Sequence, residues 1–140
     1  MSTGSRLLAT LTVLAGVACS ESATAPTSIT AAQLSGAWTL VALQLSGGAE
    51  QARPTAASYR ITFEDGRISV RADCNTCTGA MTLSSTALTL GPALACTRAA
   101  CATAAFESSY TAILNGEHVA TRASRLLTLT SSRGILRFDR

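Results

Sequence analysis

This sequence of 140 residues predicts a mainly β domain of the α+β class. About eight short antiparallel strands would form a curled sheet or a small barrel with one helix. Three observations lead to this fold class. An Asp-Gly pair separates two runs of alternating apolar and polar residues, which is a strong hairpin signal. Two later pairs of runs alternate in the same way, and a single segment changes to helical spacing.

Composition limits the class of protein further. The hydrophobic fraction of 47% is too high for a disordered chain. The formal net charge of +3 is too small to indicate nucleic acid as a partner. The five cysteines are an odd number, so they cannot all pair within one chain.

The N-terminus predicts a signal peptide over residues 1–18. Arg6 is the only charged residue before Glu21, and the run Leu7–Ala18 contains only apolar, small and threonine residues. A twelve-residue helix spans about 18 Å, whereas the hydrocarbon core of a bilayer is about 30 Å thick. The run therefore indicates a signal sequence and not a membrane-spanning helix.

The signal peptide ends in a sequence that is similar to a bacterial lipobox, Gly16-Val17-Ala18-Cys19-Ser20. We expect Cys19 to carry lipid and to anchor the protein in the membrane. Ser20 favours an outer-membrane lipoprotein that faces the periplasm. The alternative is cleavage by the ordinary signal peptidase, which Gly16 and Ala18 also suit. That cleavage would leave a soluble secreted or periplasmic protein.

Residues 19–32 are rich in Ser, Thr and Ala and predict a flexible tether, so the domain is expected over residues 33–140. Trp38–Leu45 predicts the first strand, and Gly47-Gly48 ends it. Asp65-Gly66 predicts the centre of the first hairpin. The expected apolar pairs across this turn are Tyr59 with Ala72, Ile61 with Val70 and Phe63 with Ile68.

Two further hairpins and a helix complete the predicted fold. Met81 and Leu83 would face Leu90 and Leu88 across Ser85-Thr86, and Leu127 and Leu129 would face Phe138 and Leu136 across Ser132-Arg133. His118–Ala123 predicts another strand. The helix begins near Thr103 and ends at Asn115-Gly116. Its apolar face consists of Phe106, Tyr110, Ile113 and Leu114, which follow helical spacing.

Four cysteines remain in the domain: Cys74, Cys77, Cys96 and Cys101. Four thiolates can hold zinc, but the signal peptide directs the domain to an oxidising compartment, where disulfides persist. A redox-active C-x2-C pair requires its first cysteine at a helix N-terminus, and the residues after Cys77 predict a strand. We therefore expect two disulfides and no metal.

With these residues in place, the chain resembles the META domain family of bacterial envelope lipoproteins, also called HslJ-like. The resemblance covers nearly all of residues 34–140. It rests on Leu34-Ser35-Gly36-Ala37-Trp38, Cys74-Asn75 with Gly79, Thr97-Arg98-Ala99-Ala100-Cys101, Glu107, and the Leu127/Leu129 and Leu136/Phe138 pairs. Ala72, Asp73 and Met81 depart from the family pattern. The resemblance implies a link to envelope stress or drug tolerance, with no established biochemical activity.

Cys77 and Cys96 are additional to the usual two cysteines of the family. If Cys74 pairs with Cys101, then Cys77 and Cys96 pair inside that loop in a nested pattern. The crossed pairing, Cys74 with Cys96 and Cys77 with Cys101, stays open at this stage.

The sequence does not predict catalysis. His118 is the only histidine, and we interpret it as an ordinary residue at a strand end. Asp73 and Glu107 form no evident carboxylate pair, and Glu107 is expected to support the helix surface. Asp73 and Asn75 are expected to cap the tight loop around Cys74.

Two features suggest binding. Arg60, Arg67 and Arg71 share the outer face of the first hairpin, which we interpret as a solvated surface; the alternative is a face that binds lipid phosphates or an acidic partner. Gly36-x-Trp38 resembles the opening of lipocalins, although we expect Trp38 to be a core residue.

The main functional prediction is a monomeric, non-catalytic, lipid-anchored envelope protein without a cofactor, whose domain binds an unidentified envelope protein. The alternative is a lipocalin-like barrel that carries a small apolar ligand.

Overall fold

The computed structural model describes Met1 and residues 28–140. Cys19, most of the predicted tether, and all of the predicted signal peptide after Met1 lie outside the described residues. Two helices and ten strands make up the described part: α1 (Ala31–Leu34), β1 (Gly36–Leu45), β2 (Glu50–Ala52), β3 (Tyr59–Glu64), β4 (Arg67–Ala72), β5 (Asn75–Leu83), β6 (Leu88–Leu90), β7 (Ala95–Cys96), α2 (Ala104–Leu114), β8 (Gly116–Ala123), β9 (Leu126–Ser131) and β10 (Gly134–Asp139). Neither helix in the described part is long and apolar enough to cross a membrane.

Eight of these strands close into an antiparallel barrel in the order β1-β3-β4-β5-β6-β8-β9-β10. Pairing of β10 with β1 completes the circle and places Leu40 opposite Phe138. The short strands β2 and β7 lie outside this circle, on β1 and β5 respectively. The predicted fold class is confirmed. The two extra strands and the short helix α1 are additions to it.

The first hairpin has the predicted register. Tyr59 lies opposite Ala72, Ile61 opposite Val70, and Phe63 opposite Ile68. Asp65 and Gly66 have φ values of 44° and 74°, the left-handed conformation that this two-residue turn requires. The other two hairpins also pair as predicted, Met81 with Leu90, Leu83 with Leu88, Leu127 with Phe138 and Leu129 with Leu136.

Side chains fill the barrel between its two ends. Gly36 pairs with Phe63, so α1, which precedes β1, lies at the end where β3 finishes. There the Trp38 indole Nε1 donates to the Leu34 carbonyl at 2.7 Å, and both side chains are fully buried. Helix α2 lies at the opposite end, where the Tyr59 ring packs 4.9 Å from Phe106. Each mouth of the barrel is thus covered by a helix.

Candidate functional site

The start of α2 is fixed by a carboxylate from the loop after β4. Asp73 adopts a positive φ of 55°, and its Oδ2 accepts hydrogen bonds from Thr103 N at 2.9 Å and Thr103 Oγ1 at 2.6 Å. These bonds hold the pKa of Asp73 below its ordinary value of 3.8. Asp73 was expected to cap its own loop. Instead it satisfies a backbone donor at the helix N-terminus, where a negative charge is favourable.

Asn75 joins β5 to two distant segments. Its Oδ1 accepts from Thr97 Oγ1 at 2.9 Å and from Ala99 N at 2.8 Å. Its Nδ2 donates to Ala99 O at 3.0 Å, Cys101 Sγ at 3.1 Å and Glu107 Oε1 at 2.8 Å. The side chain is only 2% exposed, so these partners replace water completely. Asn75 thus organises a segment more than twenty residues away, whereas we expected it to cap the loop at Cys74.

Two cysteine pairs hold the same region together. Cys74 bonds Cys101 with a Cα–Cα distance of 5.6 Å, and Cys77 bonds Cys96 across β5 and β7 with a Cα–Cα distance of 4.0 Å. The structure therefore has the nested arrangement and not the crossed one. Disulfides persist in oxidising compartments, so the two bridges indicate a location outside the cytoplasm.

A groove of about 980 Å³ lies between α2 and the segment 93–101, and we call it the α2 groove. Its lining consists of small side chains with a few polar ones: Asn75, Ala93, Leu94, Cys96, Thr97, Arg98, Ala99, Ala100, Ala104, Glu107, Ser108, Thr111, Ala112, Asn115 and Arg133. Arg133 Nη1 donates to the carbonyls of Asn115 and Ala112, the latter at 3.3 Å. A cation is favourable at this helix C-terminus. Arg98 is exposed on the opposite wall.

His118 does not belong to the α2 groove. It is the third residue of β8, it is 1% exposed, and its Nε2 lies 2.8 Å from the Ile113 carbonyl. Burial lowers its pKa below the ordinary 6.5, although the hydrogen bond to Ile113 opposes the shift. The imidazole is therefore a core group that joins β8 to α2, whereas we expected an ordinary residue at a strand end. It is not among the residues that line the α2 groove.

The part of the chain that the structure describes shows no cluster of side chains that could bind a metal ion. Residues 28–140 contain no group of three His, Cys, Asp or Glu side chains placed to hold an ion. The four cysteines of the domain are all engaged in the two bridges.

Arg60, Arg67 and Arg71 are exposed on one outer face, as their alternation predicts. Arg60 lies directly opposite Arg71, and Arg67 lies opposite Glu64. None of the three lines the α2 groove. They form a separate surface on β3 and β4.

Trp38 is a core residue and not the gate of a cavity. Its ring is fully buried, with the Arg140 guanidinium carbon 4.0 Å and the Arg122 guanidinium carbon 5.5 Å from the ring centroid. Both distances are within the range of cation–π attraction. The interior beside Trp38 is filled by Leu34, Ile61 and their neighbours in the same buried cluster.

Sequence reasoning did not identify the roles of Thr103 at the start of α2 and of Arg133 in the α2 groove. Thr103 stood at the predicted helix start, where an Asp partner is a recognised way to satisfy a free N–H. Arg133 stood in a predicted turn, and nothing local indicated that it reaches the end of α2. Glu107 was expected to support the helix surface, and the structure adds its hydrogen bond to Asn75.

Comparison with protein families gives a match over residues 31–140 to the model described as META domain. This range contains every strand and both helices of the described part. A search among curated proteins gives no match.

Solved structures share the fold. The chain is 27% identical to a protein from Burkholderia xenovorans solved by NMR, over 84% of this chain and 92% of that one, with a TM-score of 0.64. A second NMR structure is 23% identical over 79% and 94% of the two chains, with a TM-score of 0.62. A lipocalin-like protein from Bacteroides uniformis is 15% identical over 76% and 97%, with a TM-score of 0.53.

Proposed function

Since the chain belongs to the META domain family, we propose that it is a non-catalytic envelope protein that binds an acidic protein segment in the α2 groove. In this proposal, lipid on Cys19 anchors the protein in the outer membrane. The domain is a monomer, and the tether presents it to the periplasm. The link to envelope stress comes from the family resemblance alone.

One observation carries the choice of surface. The residues behind the family resemblance are far apart in the sequence, yet Asn75, Thr97 and Glu107 all line the α2 groove. Their hydrogen bonds and the Cys74–Cys101 bridge fix its walls, while the space between the walls stays open. A groove whose walls are fixed by hydrogen bonds and a disulfide, and whose interior is open, suits a preformed binding site.

The lining indicates the chemistry of the partner. Arg98 and Arg133 are exposed cations on facing parts of the α2 groove. The only acidic residue of the lining, Glu107, already accepts a hydrogen bond from Asn75. Alanines between them leave room for the backbone of an extended peptide. Electrostatic complementarity therefore favours an acidic segment.

Site-specific photocrosslinking in the bacterial envelope tests this proposal. A photoreactive amino acid at Ser108, in the α2 groove, is expected to capture an acidic segment, which mass spectrometry of the adduct identifies. Arg98→Glu in the same chain should abolish the adduct, because it reverses the charge of one wall. Thr130, an exposed residue on β9 outside both the groove and the arginine face, is the matched control position.

Adducts of equal yield at Ser108 and Thr130, or adducts that Arg98→Glu leaves unchanged, would contradict binding in the α2 groove. The anchor is tested separately by the intact mass of the mature protein. We expect cleavage before Cys19 with lipid attached, and Cys19→Ser should move the protein from the membrane fraction to the soluble fraction.

The arginines on the first hairpin support an additional contact with anionic lipid headgroups. Like charges that face each other across a strand pair are destabilising, and Arg60 lies opposite Arg71. A phosphate between them would relieve the repulsion. Changing Arg60, Arg67 and Arg71 together to Gln should weaken binding to anionic vesicles, and unchanged binding of the tethered domain would contradict this contact.

The second candidate function is a lipocalin-like carrier of an apolar ligand. The closed barrel and the similarity to a lipocalin-like protein favour it. The space between the strands is occupied by large side chains, among them Trp38, Phe63 and Tyr110. An apolar ligand would therefore bind at a different place from the centre of the barrel.

A further inference from the structure

A second concavity, of about 440 Å³, lies at the α1 end of the barrel, away from the α2 groove. We call it the α1-end pocket. The segment before α1, the turn between β5 and β6, and the strand β8 enclose it. Its lining residues are Ser28, Ile29, Leu83, Ser84, Ser85, Thr86, Ala87, Leu88, Val119 and Ala120.

No residue in this lining carries a charge. The hydroxyl of Ser84 is occupied within its own turn, where it accepts from Ala87 N at 2.9 Å and donates to Ala87 O at 3.1 Å. Apolar side chains, among them Ile29, Leu83 and Val119, supply most of the remaining surface, and the hydroxyls of Ser28, Ser85 and Thr86 complete it. Val119 is 52% exposed although it is large and apolar. The α1-end pocket therefore offers mainly apolar contact and no charged anchor.

Its size suits an apolar group of ligand dimensions. Binding sites for small molecules typically enclose about 300–1,000 Å³, and 440 Å³ lies within this range. Each methylene that leaves water on binding contributes favourably to the free energy of binding. A flexible hydrocarbon chain gains this contribution along its whole length, while a charged ligand finds no oppositely charged partner in the lining.

The position of the α1-end pocket in the chain also indicates a lipid. Ser28 is part of the lining, and residues 20–27 are the only ones between it and Cys19. Nine peptide steps extend at most about 32 Å. If Cys19 is held by lipid, as proposed above, the pocket lies within that distance of the membrane surface.

We propose that the α1-end pocket binds a single acyl chain, from a free fatty acid or from a membrane lipid. The inference deepens the second candidate function, because it names the ligand class and places the ligand beside Val119 and outside the filled barrel. Only the membrane source of the acyl chain rests on the proposed anchor at Cys19.

The test uses the full chain with Cys19→Ser, so that no attached lipid competes and anchoring plays no part. Palmitate binding is measured by displacement of a fluorescent fatty acid. Two substitutions alter the pocket: Val119→Asp adds a charge to its apolar lining, and Ala87→Phe fills it. Val41→Asp is the matched control, because Val41 is 47% exposed on β1 and does not line the pocket.

We expect each pocket substitution to weaken palmitate binding at least about tenfold, and Val41→Asp to leave it unchanged. Circular dichroism of each variant verifies that it folds. A parallel measurement uses vesicles of phosphatidylcholine, which carry no net charge and therefore give the arginine face no electrostatic attraction. Pocket-dependent binding to palmitate identifies free fatty acid as the source, and pocket-dependent binding to vesicles alone identifies the membrane lipid.

Absence of binding to both ligands would overturn the proposal. Binding that Val119→Asp and Ala87→Phe leave unchanged, or that Val41→Asp weakens equally, would overturn it as well. A failure of lipidation at Cys19 would instead appear in the intact mass of the mature protein and would not affect the palmitate measurement.

Discussion

The side-chain amide of Asn75 on β5 donates to the carboxylate of Glu107 on α2 at 2.8 Å, across 32 residues of sequence. The same side chain holds the backbone of Ala99 through both its oxygen and its nitrogen. One buried residue therefore connects the barrel, the helix and the segment between them. The shape of the α2 groove depends on this connection.

Replacing Asn75 with Ala should lower the free energy of unfolding by about 2–4 kcal/mol. The substitution leaves Glu107 and the Ala99 N–H without their buried partner, and unsatisfied buried groups are costly. Urea denaturation measures the change. Thr76→Ala is the control: Thr76 is the exposed neighbour on the same strand, and we expect a change within about 0.5 kcal/mol. Equal losses of unfolding free energy in the two variants would contradict a stabilising role for the hydrogen bonds of Asn75.

Tyr110 and Tyr59 form a matched pair for a second prediction. Their rings meet edge to face with centroids 5.3 Å apart. The buried Tyr110 hydroxyl has no hydrogen-bond partner among the described residues, while the Tyr59 hydroxyl lies 2.7 Å from Thr103 Oγ1. Tyr110→Phe should therefore leave stability unchanged or raise it by up to about 1 kcal/mol, and Tyr59→Phe should lower it by about 1 kcal/mol. Thermal unfolding of the two variants measures both effects, and the opposite order would contradict the hydrogen-bond assignment.

Acid is expected to destabilise the fold through His118. Burial lowers the pKa of His118 in the folded state below its ordinary 6.5, so the unfolded chain binds a proton first as the pH falls. The stability from the neutral imidazole is complete above about pH 6.5 and decreases from there down to the lowered pKa. Urea denaturation as a function of pH should show this decrease, and His118→Gln should remove it.

Asp73 affects stability in a more acidic pH range than His118, so the two contributions can be measured separately. Its pKa is lowered below 3.8, so its stabilising contribution is complete above that pH and disappears as the pH falls through the lowered pKa. Asp73→Asn should change the pH dependence only in this more acidic range. A change near neutral pH in this variant would contradict the assignment.

The nested bridges predict a simple result in mass spectrometry. Non-reduced, denatured protein should show no free thiol among the four domain cysteines, and proteolysis should yield the pairs Cys74–Cys101 and Cys77–Cys96. The closed loops span 27 and 19 residues, which corresponds to about 3–4 kcal/mol for each bridge in the chain-entropy model. Replacing either pair with alanine should lower the unfolding free energy by roughly this amount. Stoichiometric zinc in place of the bridges would contradict them.

The hairpins could be predicted from the sequence because their information is local. Asp65-Gly66 fixes the turn, and the alternation on both sides fixes which residues face the core, so the register of β3 and β4 followed directly. The strands β2 and β7 carry no such signal. The three residues of β2 are all exposed, and β7 has only two residues.

The candidate site was predictable only in part for a related reason. Asn75 and Glu107 were selected through the family resemblance, but their roles depend on partners 24 and 32 residues away. Spacing along the chain does not encode such contacts. His118 illustrates the same difficulty: the sequence indicated only a residue at a strand end, and its burial follows from the closed barrel that surrounds it.

Barrel closure by β1 and β10 has a consequence for how the chain folds. Leu40 and Phe138 are neighbours in this pairing, so nearly the whole domain must be synthesised before they can meet. Until then, the outer edges of β1 and β10 present free backbone groups that can pair with other chains. Contacts between such distant residues also make folding slow. Until its last strand has paired, a protein of this topology is therefore open to aggregation through these two edges.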